Sequence, residues 1–479
     1  MGLKLGRTAA LHFLSQVAVS ASGFVATFAI ARVLGADGVG AYALGMSLVV
    51  WFNVPLSGFQ EALKKRVSEG VDRDEYFTSG VVLNLTSVVV PAALVLLFSG
   101  PVETFVGAPV APFVALVLVT NGVFNTLRDT LHGEKKVAEA GWLRFVERVL
   151  RTVAQVAFLV LGYRIAGLFV GHAIALVVSA ALGLYFVDLR PAIPDRSHFR
   201  RLVDYARHGW SGGLKGNAFN WMDTIVLGLF VAQSLVGVYK VAWTLASFLV
   251  VVSNSVSSTL FPEISDISTD GQTERVKHYL DEGLLFTGLF LIPGLFGSVA
   301  IGSDLLRIYE SEFTQGATIL VILVLARILD AYASQIISVI KAVDRPDIVM
   351  RIDLLFVVVN VALNFLLIYR FGWYGAAVAT LVSGGVTLAA SYYAISSLVG
   401  RPSVPVGEIA RQTVAAVVMF GVVYALESVA PGGHFVTVAL VVVGAAVYTV
   451  ALLVLSSRIR QKARALAPDS VAGVARLSR

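Results

Sequence analysis

Long apolar runs separated by short polar connections fill the chain from its first residues to about residue 457. A membrane-crossing helix needs about 20 mostly apolar residues. Fourteen stretches qualify: 9–33, 40–60, 77–99, 109–129, 140–163, 166–188, 211–232, 235–261, 284–307, 316–340, 348–369, 374–398, 409–427 and 435–457. The pattern predicts an all-α integral membrane protein with about 14 transmembrane helices. Two connections carry helical stripes of their own: Phe199, Leu202, Val203 and Ala206 in "RSHFRRLVDYARHG", and Val276, Tyr279 and Leu280 in "TERVKHYLDEG". Each is expected to lie in the membrane interface or to act as a short solvated linker. The first apolar run continues well beyond the roughly 7–15 residues of a signal peptide, so a retained first helix is expected.

Composition supports the membrane reading. Hydrophobic residues make up 57% of the 479, and only 14% are charged, against about 25% in a soluble domain. Cysteine is absent, which excludes disulfides and thiolate chemistry. The 7 histidines show no ligand spacing, so neither a metal centre nor a cofactor is expected. The net charge of +6 could suggest nucleic acid, but its placement does not. Lys and Arg crowd alternate connections, and only Arg32, Arg164, Arg307 and Arg370 fall on the other side. The positive-inside rule then puts both termini in the cytoplasm of a cell-membrane protein, and the charge serves topology and anionic lipids. No nucleophile motif, phosphate-binding loop or ATP-binding domain is present, so the chain reads as a non-enzyme. Energy is expected from an ion gradient, the membrane potential or the cargo's own gradient.

The pattern repeats. "VGAYALG" (39–45) and "VGVYKVA" (236–242) match at an offset of 197, and "FLVLGYRIAG" (158–167) echoes "FLLIYRFGWYG" (365–375). Both echoes relate helices 1–6 to helices 7–12, which implies parallel repeats about an axis along the membrane normal, with substrate between the halves near mid-membrane. The expected organisation is an N-lobe (1–189), a cytoplasmic amphipathic linker (190–210), a C-lobe (211–398), helices 13–14 (399–460) and a cytoplasmic basic tail (461–479). Helices 13 and 14 carry uncharged apolar runs and are expected to be peripheral and to face lipid.

Charges at mid-bilayer cost about 2.5–3.5 kcal/mol on insertion scales, so those that occur need partners or a function. Arg144, Arg148 and Arg151 share a face of helix 5, with Glu147 able to pair with Arg144 or Arg151. Guanidinium groups bind phosphate in a planar, bidentate way, so these arginines and Lys215 are candidate phosphate binders; Arg144 and Arg148 also suit positive-inside anchors. On helix 7, Asn217, Asn220, Trp221 and Asp223 follow Lys215. The asparagines fit either cavity lining or helix–helix glue. Asn121, Asn125 and Arg128 on helix 4, and Asn360 and Asn364 on helix 11, are further cavity candidates. Arg327 and Asp330, three residues apart on helix 10, form either a self-neutralising pair or part of a coupling device. Lys240 on helix 8 lies about four residues from Asp223 in depth, some 6 Å at 1.5 Å per residue. An ion pair between them is expected, with snorkelling of Lys240 to the interface as the alternative. Of the charges assigned to spans, Arg144, Arg148, Arg151, Lys215, Lys240 and Arg327 outnumber Glu147, Asp223 and Asp330. That balance favours anionic cargo.

At "LGADGVGAYAL", "MDTIVLGLFVAQSLVGVYKVAWTLASFL…LFPEIS" and "NVALNFLLIYRFGWYGAAVAT" the chain resembles the polysaccharide or oligosaccharide flippases of the multidrug/oligosaccharidyl-lipid/polysaccharide (MOP) exporter superfamily. That superfamily also holds the lipid II flippases and the cation-coupled multidrug antiporters. The resemblance implies two six-helix lobes around a cavity, and alternating access that moves a lipid-linked oligosaccharide (a polyprenyl- or dolichyl-phosphate glycan) to the outer leaflet. It implies a lipid-tail groove at helices 13–14. The lipid II flippases place arginines in helix 1; "LHFLSQVAVSASGFVATFAI" is neutral, which moves the phosphate role to helix 5. Expected partners are the lipid-linked oligosaccharide, membrane lipids and a proton or sodium ion. The chain is expected to be a monomer that can work beside glycan-assembly enzymes, without nucleic acid. A cation-coupled multidrug antiporter of the same superfamily is the alternative, and it calls for an acidic cavity.

Overall fold

The computed structural model describes residues 2–209, 213–251, 253, 257, 261, 264–267, 273–430 and 433–466, with side chains from residue 23 onward except 208, 209, 273 and 463–466. The tail beyond residue 466 and part of "LFPEIS" lie outside the described residues. The described elements are all helical: α1 (Gly2–Glu69), α2 (Arg73–Leu97), α3 (Ser99–Val106), α4 (Ala111–Gly133), α5 (Val137–Val160), α6 (Arg164–Phe186), α7 (Arg196–Gly209), α8 (Leu214–Phe230), α9 (Gln233–Phe248), α10 (Thr273–Arg307), α11 (Ala317–Ala342, after a 3-10 turn at Ser311–Gly316), α12 (Pro346–Phe371), α13 (Trp373–Leu398), α14 (Val406–Glu427), α15 (His434–Leu455) and α16 (Ser457–Leu466). Among the described residues, ten helices are long and apolar enough to cross a membrane. This is an all-α, multi-pass membrane protein.

The element boundaries refine the expected spans. Spans 9–33 and 40–60 both fall within α1, which runs on except at Gly35. Gly35 has φ 66 and ψ −168, a left-handed conformation that costs a residue without Cβ little, and it separates the two spans. The stripe Val276–Tyr279–Leu280 does not form a separate interfacial helix. It makes up the early turns of the continuous α10, where Val276 and Leu280 are buried. The stripe on α7 is a separate helix: Leu202 and Ala206 pack with Ala62 and Tyr76, and Arg201 donates to the Tyr76 hydroxyl at 3.1 Å.

An irregular segment leads into α7, and two of its amides donate to side chains. The Arg190 and Ala192 amides donate to Asp74 and to the Thr78 hydroxyl, each at 3.0 Å. Lys136 donates to the Phe186 carbonyl at 2.6 Å and pairs with Asp188 at 2.7 Å. Backbone groups with no ladder partner need such acceptors. At the α7 start, the Ser197 amide donates to Asp195 at 2.7 Å. Hydrogen bonds from Ser197 hold the Asp195 carboxyl below its ordinary range.

By contact the chain forms two compact units. One comprises residues 14–244 and 350–383; the other comprises 1–13, 245–349 and 384–479. This partition by contact is separate from the repeat partition by sequence. In the second unit, α14 and α15 pack on each other and on α10 through Ile292, Ala415, Ala416, Met419, Leu440, Tyr448 and Leu452. Their opposite faces expose Val414, Val418, Val438, Val442, Val450 and Val454. An exposed apolar face of this extent suits lipid rather than water.

In the first unit α1 and α9 touch where the repeat motifs coincide. A Cβ on Gly237 would collide with the Ala36 carbonyl and sit 2.9 Å from the Gly40 nitrogen; one on Gly40 would collide with the Gln233 carbonyl and sit 3.1 Å from the Gly237 nitrogen. Equivalent glycines of "VGAY" and "VGVY" thus form one close backbone crossing.

Candidate functional site

Two residues past each crossing glycine stands a tyrosine, and each tyrosine leads to a buried ionisable centre. Tyr42 approaches His172 Nδ1 at 3.1 Å and accepts from Gln155 Nε2 at 2.7 Å, which also donates to the Leu168 carbonyl at 3.1 Å. Across the imidazole, His172 Nε2 lies 3.6 Å from Glu147 Oε1 and 3.3 Å from Arg151 Nη1. Arg151 and Glu147 pair at 3.4 Å, one turn apart on α5. Glu147 is 6% exposed and His172 4%. Of the two partners that the spacing allows Glu147, the structure selects Arg151. Arg144 is exposed, and Arg148 is half-buried between them on the same helix.

The second centre is Asp223, 3% exposed on α8. Its Oδ2 accepts from the Tyr239 hydroxyl on α9 and from Thr380 on α13, the latter at 2.7 Å. Among the described residues its buried Oδ1 finds no hydrogen-bond partner, nor do the buried Oδ1 atoms of Asn360 and Asn364. Both asparagines are fully buried on α12; Asn364 donates to the Asn360 carbonyl at 3.0 Å, and Asn360 donates to Ser383 at 3.5 Å.

The Lys240 ammonium lies 3.9 Å above the Trp221 ring and 3.5 Å from the Asn220 carbonyl. An indole face attracts a cation, while the tyrosine and threonine hydroxyls take the carboxylate. Lys215, expected at phosphate, pairs with Asp353 at 3.2 Å. Arg327 and Asp330 do pair, at 3.6 Å, and Arg327 also donates to Ser247 at 2.8 Å. Arg128 pairs with its neighbour Asp129 at 3.1 Å, and Asn125 donates to Asn121 at 3.2 Å. Asn220 donates to the Gly216 carbonyl at 2.7 Å, and Asn217 is half-buried.

Sequence reasoning missed Tyr42, Gln155, His172, Tyr239, Thr380 and Asp353. A usable signal existed for the two tyrosines, since both are the fourth residue of a repeated motif. His172 and Thr380 stand at matching places when Gly167 is aligned with Gly375.

These features define the class: a multi-pass helical membrane protein that holds two polar centres inside one compact unit. Residues 5–268 match the polysaccharide biosynthesis protein family and residues 149–445 match the lipid II flippase MurJ family. The chain belongs to the polysaccharide biosynthesis protein family. It is 32% identical to the probable flippase AglR of Haloferax volcanii over 98% of this chain and 99% of that one. It is 27% identical to the probable low-salt glycan biosynthesis flippase Agl15 of the same organism over 89% and 90%. Its fold is similar to the lipid II flippase MurJ in an inward closed conformation (TM-score 0.76, 14% identity, 94% and 98% covered). It is less similar to an inward-facing multidrug resistance MATE family transporter (TM-score 0.59, 14% identity, 81% and 94% covered).

Proposed function

We propose that this protein is a flippase that carries a lipid-linked oligosaccharide across the membrane. The observation that carries this reading is the near-complete alignment with a relative described as a probable flippase. The charge on α5 supports it: its arginines present guanidinium groups suited to a phosphate-linked glycan, and the exposed apolar faces of α14 and α15 suit membrane lipid. The finer reading has fourteen crossings, both termini in the cytoplasm of a cell-membrane protein, and repeats 1–189 and 211–398 moving in alternating access. Phosphate meets Arg148 and Arg151, sugars meet Asn217, Asn220 and Trp221, and the chain works as a monomer. Introducing this chain into a Haloferax volcanii strain lacking AglR tests the family-level reading. Restored surface glycan supports it; a changed drug-resistance profile with no glycan effect supports the antiporter instead.

Asp223 is the proposed coupling residue. A buried carboxylate with Asn364 beside it presents oxygen atoms to a proton or a sodium ion, and hard cations take oxygen ligands. Lys240, about one turn away on the neighbouring helix, responds to its charge. Asp223→Asn is expected to lower flipping about tenfold and to abolish its dependence on the ion gradient, and Lys240→Ala to alter that dependence. Gradient-dependent transport that survives both substitutions removes Asp223 from coupling.

A further inference from the structure

We propose that Glu147 is an exchangeable counter-anion: it occupies Arg151 while no cargo is bound and yields it to a cargo phosphate. This rests on the phosphate reading above and adds how that site is emptied and filled.

The hydrogen-bond directions around the first centre carry the inference. The Gln155 amide nitrogen donates to both the Tyr42 oxygen and the Leu168 carbonyl. A guanidinium only donates, so the 3.3 Å contact from Arg151 Nη1 makes His172 Nε2 an acceptor. A neutral imidazole that accepts at one nitrogen carries its hydrogen on the other, so Nδ1–H donates to the Tyr42 oxygen at 3.1 Å. Gln155 and His172 thus both donate to Tyr42, and Glu147 Oε1, 3.6 Å from Nε2, receives no hydrogen bond from the imidazole.

Arg151 is only loosely paired with Glu147. Its Nη1 donates to His172 Nε2 at 3.3 Å. It reaches Glu147 Oε1 at 3.4 Å, yet that oxygen accepts no hydrogen bond in the structure. Arg128 and Asp129 show the contrast, with hydrogen bonds of 3.1, 3.2 and 3.4 Å from two guanidinium nitrogens. A phosphate would give Arg151 the planar, two-bond contact that Glu147 does not. Glu147 therefore neutralises Arg151 in the empty protein and competes with cargo, so that phosphate binding stays reversible. A binder that held its cargo without competition would turn over slowly.

The test uses the full-length protein in detergent, with geranyl pyrophosphate as probe and calorimetry as readout. Glu147→Gln is expected to bind the probe about tenfold more tightly than the unaltered protein. Arg151→Gln is expected to bind more weakly, and the double variant no better than Arg151→Gln alone. In reconstituted flipping, Glu147→Gln lowers KM and kcat together. Glu147→Asp, whose carboxylate sits further from Arg151, is expected to tighten binding by a smaller factor and serves if Glu147→Gln does not fold. Unchanged or weaker binding by a folded Glu147 variant overturns the exchange, as does tightening that persists without Arg151, since that is a general charge effect. Failure of the phosphate reading shows separately, as unchanged transport in Arg151→Gln.

Discussion

Gly237→Val is expected to leave little folded protein in the membrane. The α1–α9 crossing brings two backbones into contact at Gly40 and Gly237, and the added Cβ would meet the Ala36 carbonyl, an atom of helix backbone that cannot swing aside. Val236, Val238 and Tyr239 are buried on either side, so the helix has no room to retreat. Membrane helices use small residues for this kind of approach. Overpacking against backbone belongs with the larger single-substitution effects, about 4 kcal/mol or more. Parting the helices would also pull Tyr42 and Tyr239 from their centres. Gly421→Ala is the control, because nothing lies within 4 Å of the position its Cβ would take. Size-exclusion profiles of the detergent-extracted variants check the pair: no monodisperse peak for Gly237→Val, and an unaltered one for Gly421→Ala. A normal profile for Gly237→Val contradicts the close crossing.

Arg151→Gln is expected to reduce flipping about tenfold to a hundredfold while the protein still folds. A hydrogen bond to a charged group is worth roughly 1.5–3 kcal/mol, which corresponds to that range of rate or affinity. Glutamine keeps most of the volume and remains able to donate to Glu147, so the brace of Tyr42, Gln155 and His172 stays in place. Adding Arg148→Gln is expected to deepen the loss, because the two arginines stand on one face of α5. Reconstituted transport beside a thermal-melting curve separates the effects: a large fall in rate with a small fall in melting temperature fits phosphate binding. Unchanged transport removes Arg151 from that role.

The helices were legible because apolar runs of about 20 residues have few other uses. Where one helix stops and the next begins was less so. Nothing in "LGADG" tells that Gly35 would break a helix and that helical backbone would resume at once, and "TERVKHYLDEG" has the same stripe whether it lies flat or continues into α10. Charged partners one turn apart on one helix, such as Glu147 with Arg151 and Arg327 with Asp330, were readable from spacing. Partners on different helices were not: Tyr42 and His172 are 130 residues apart, and Thr380 and Asp223 are 157 apart. Hydropathy gives a tyrosine or histidine in a span no assignment, and only the tertiary fold tells which carboxylate it meets. Lys240 shows the limit most plainly. Its depth suggested Asp223, but nothing in the sequence pointed to the Trp221 ring beneath the cation or to Tyr239 on the acid.

The most direct measurement is transbilayer movement of a fluorescent or enzymatically detectable polyprenyl-phosphate oligosaccharide in proteoliposomes containing the purified full chain. The flippase reading requires that the protein bring the glycan to the opposite leaflet well above the rate of protein-free vesicles, and that Arg151→Gln slow it. Movement no faster than in empty vesicles, with the protein folded and a working flippase transporting the same lipid in parallel, would rule out the function proposed for this chain.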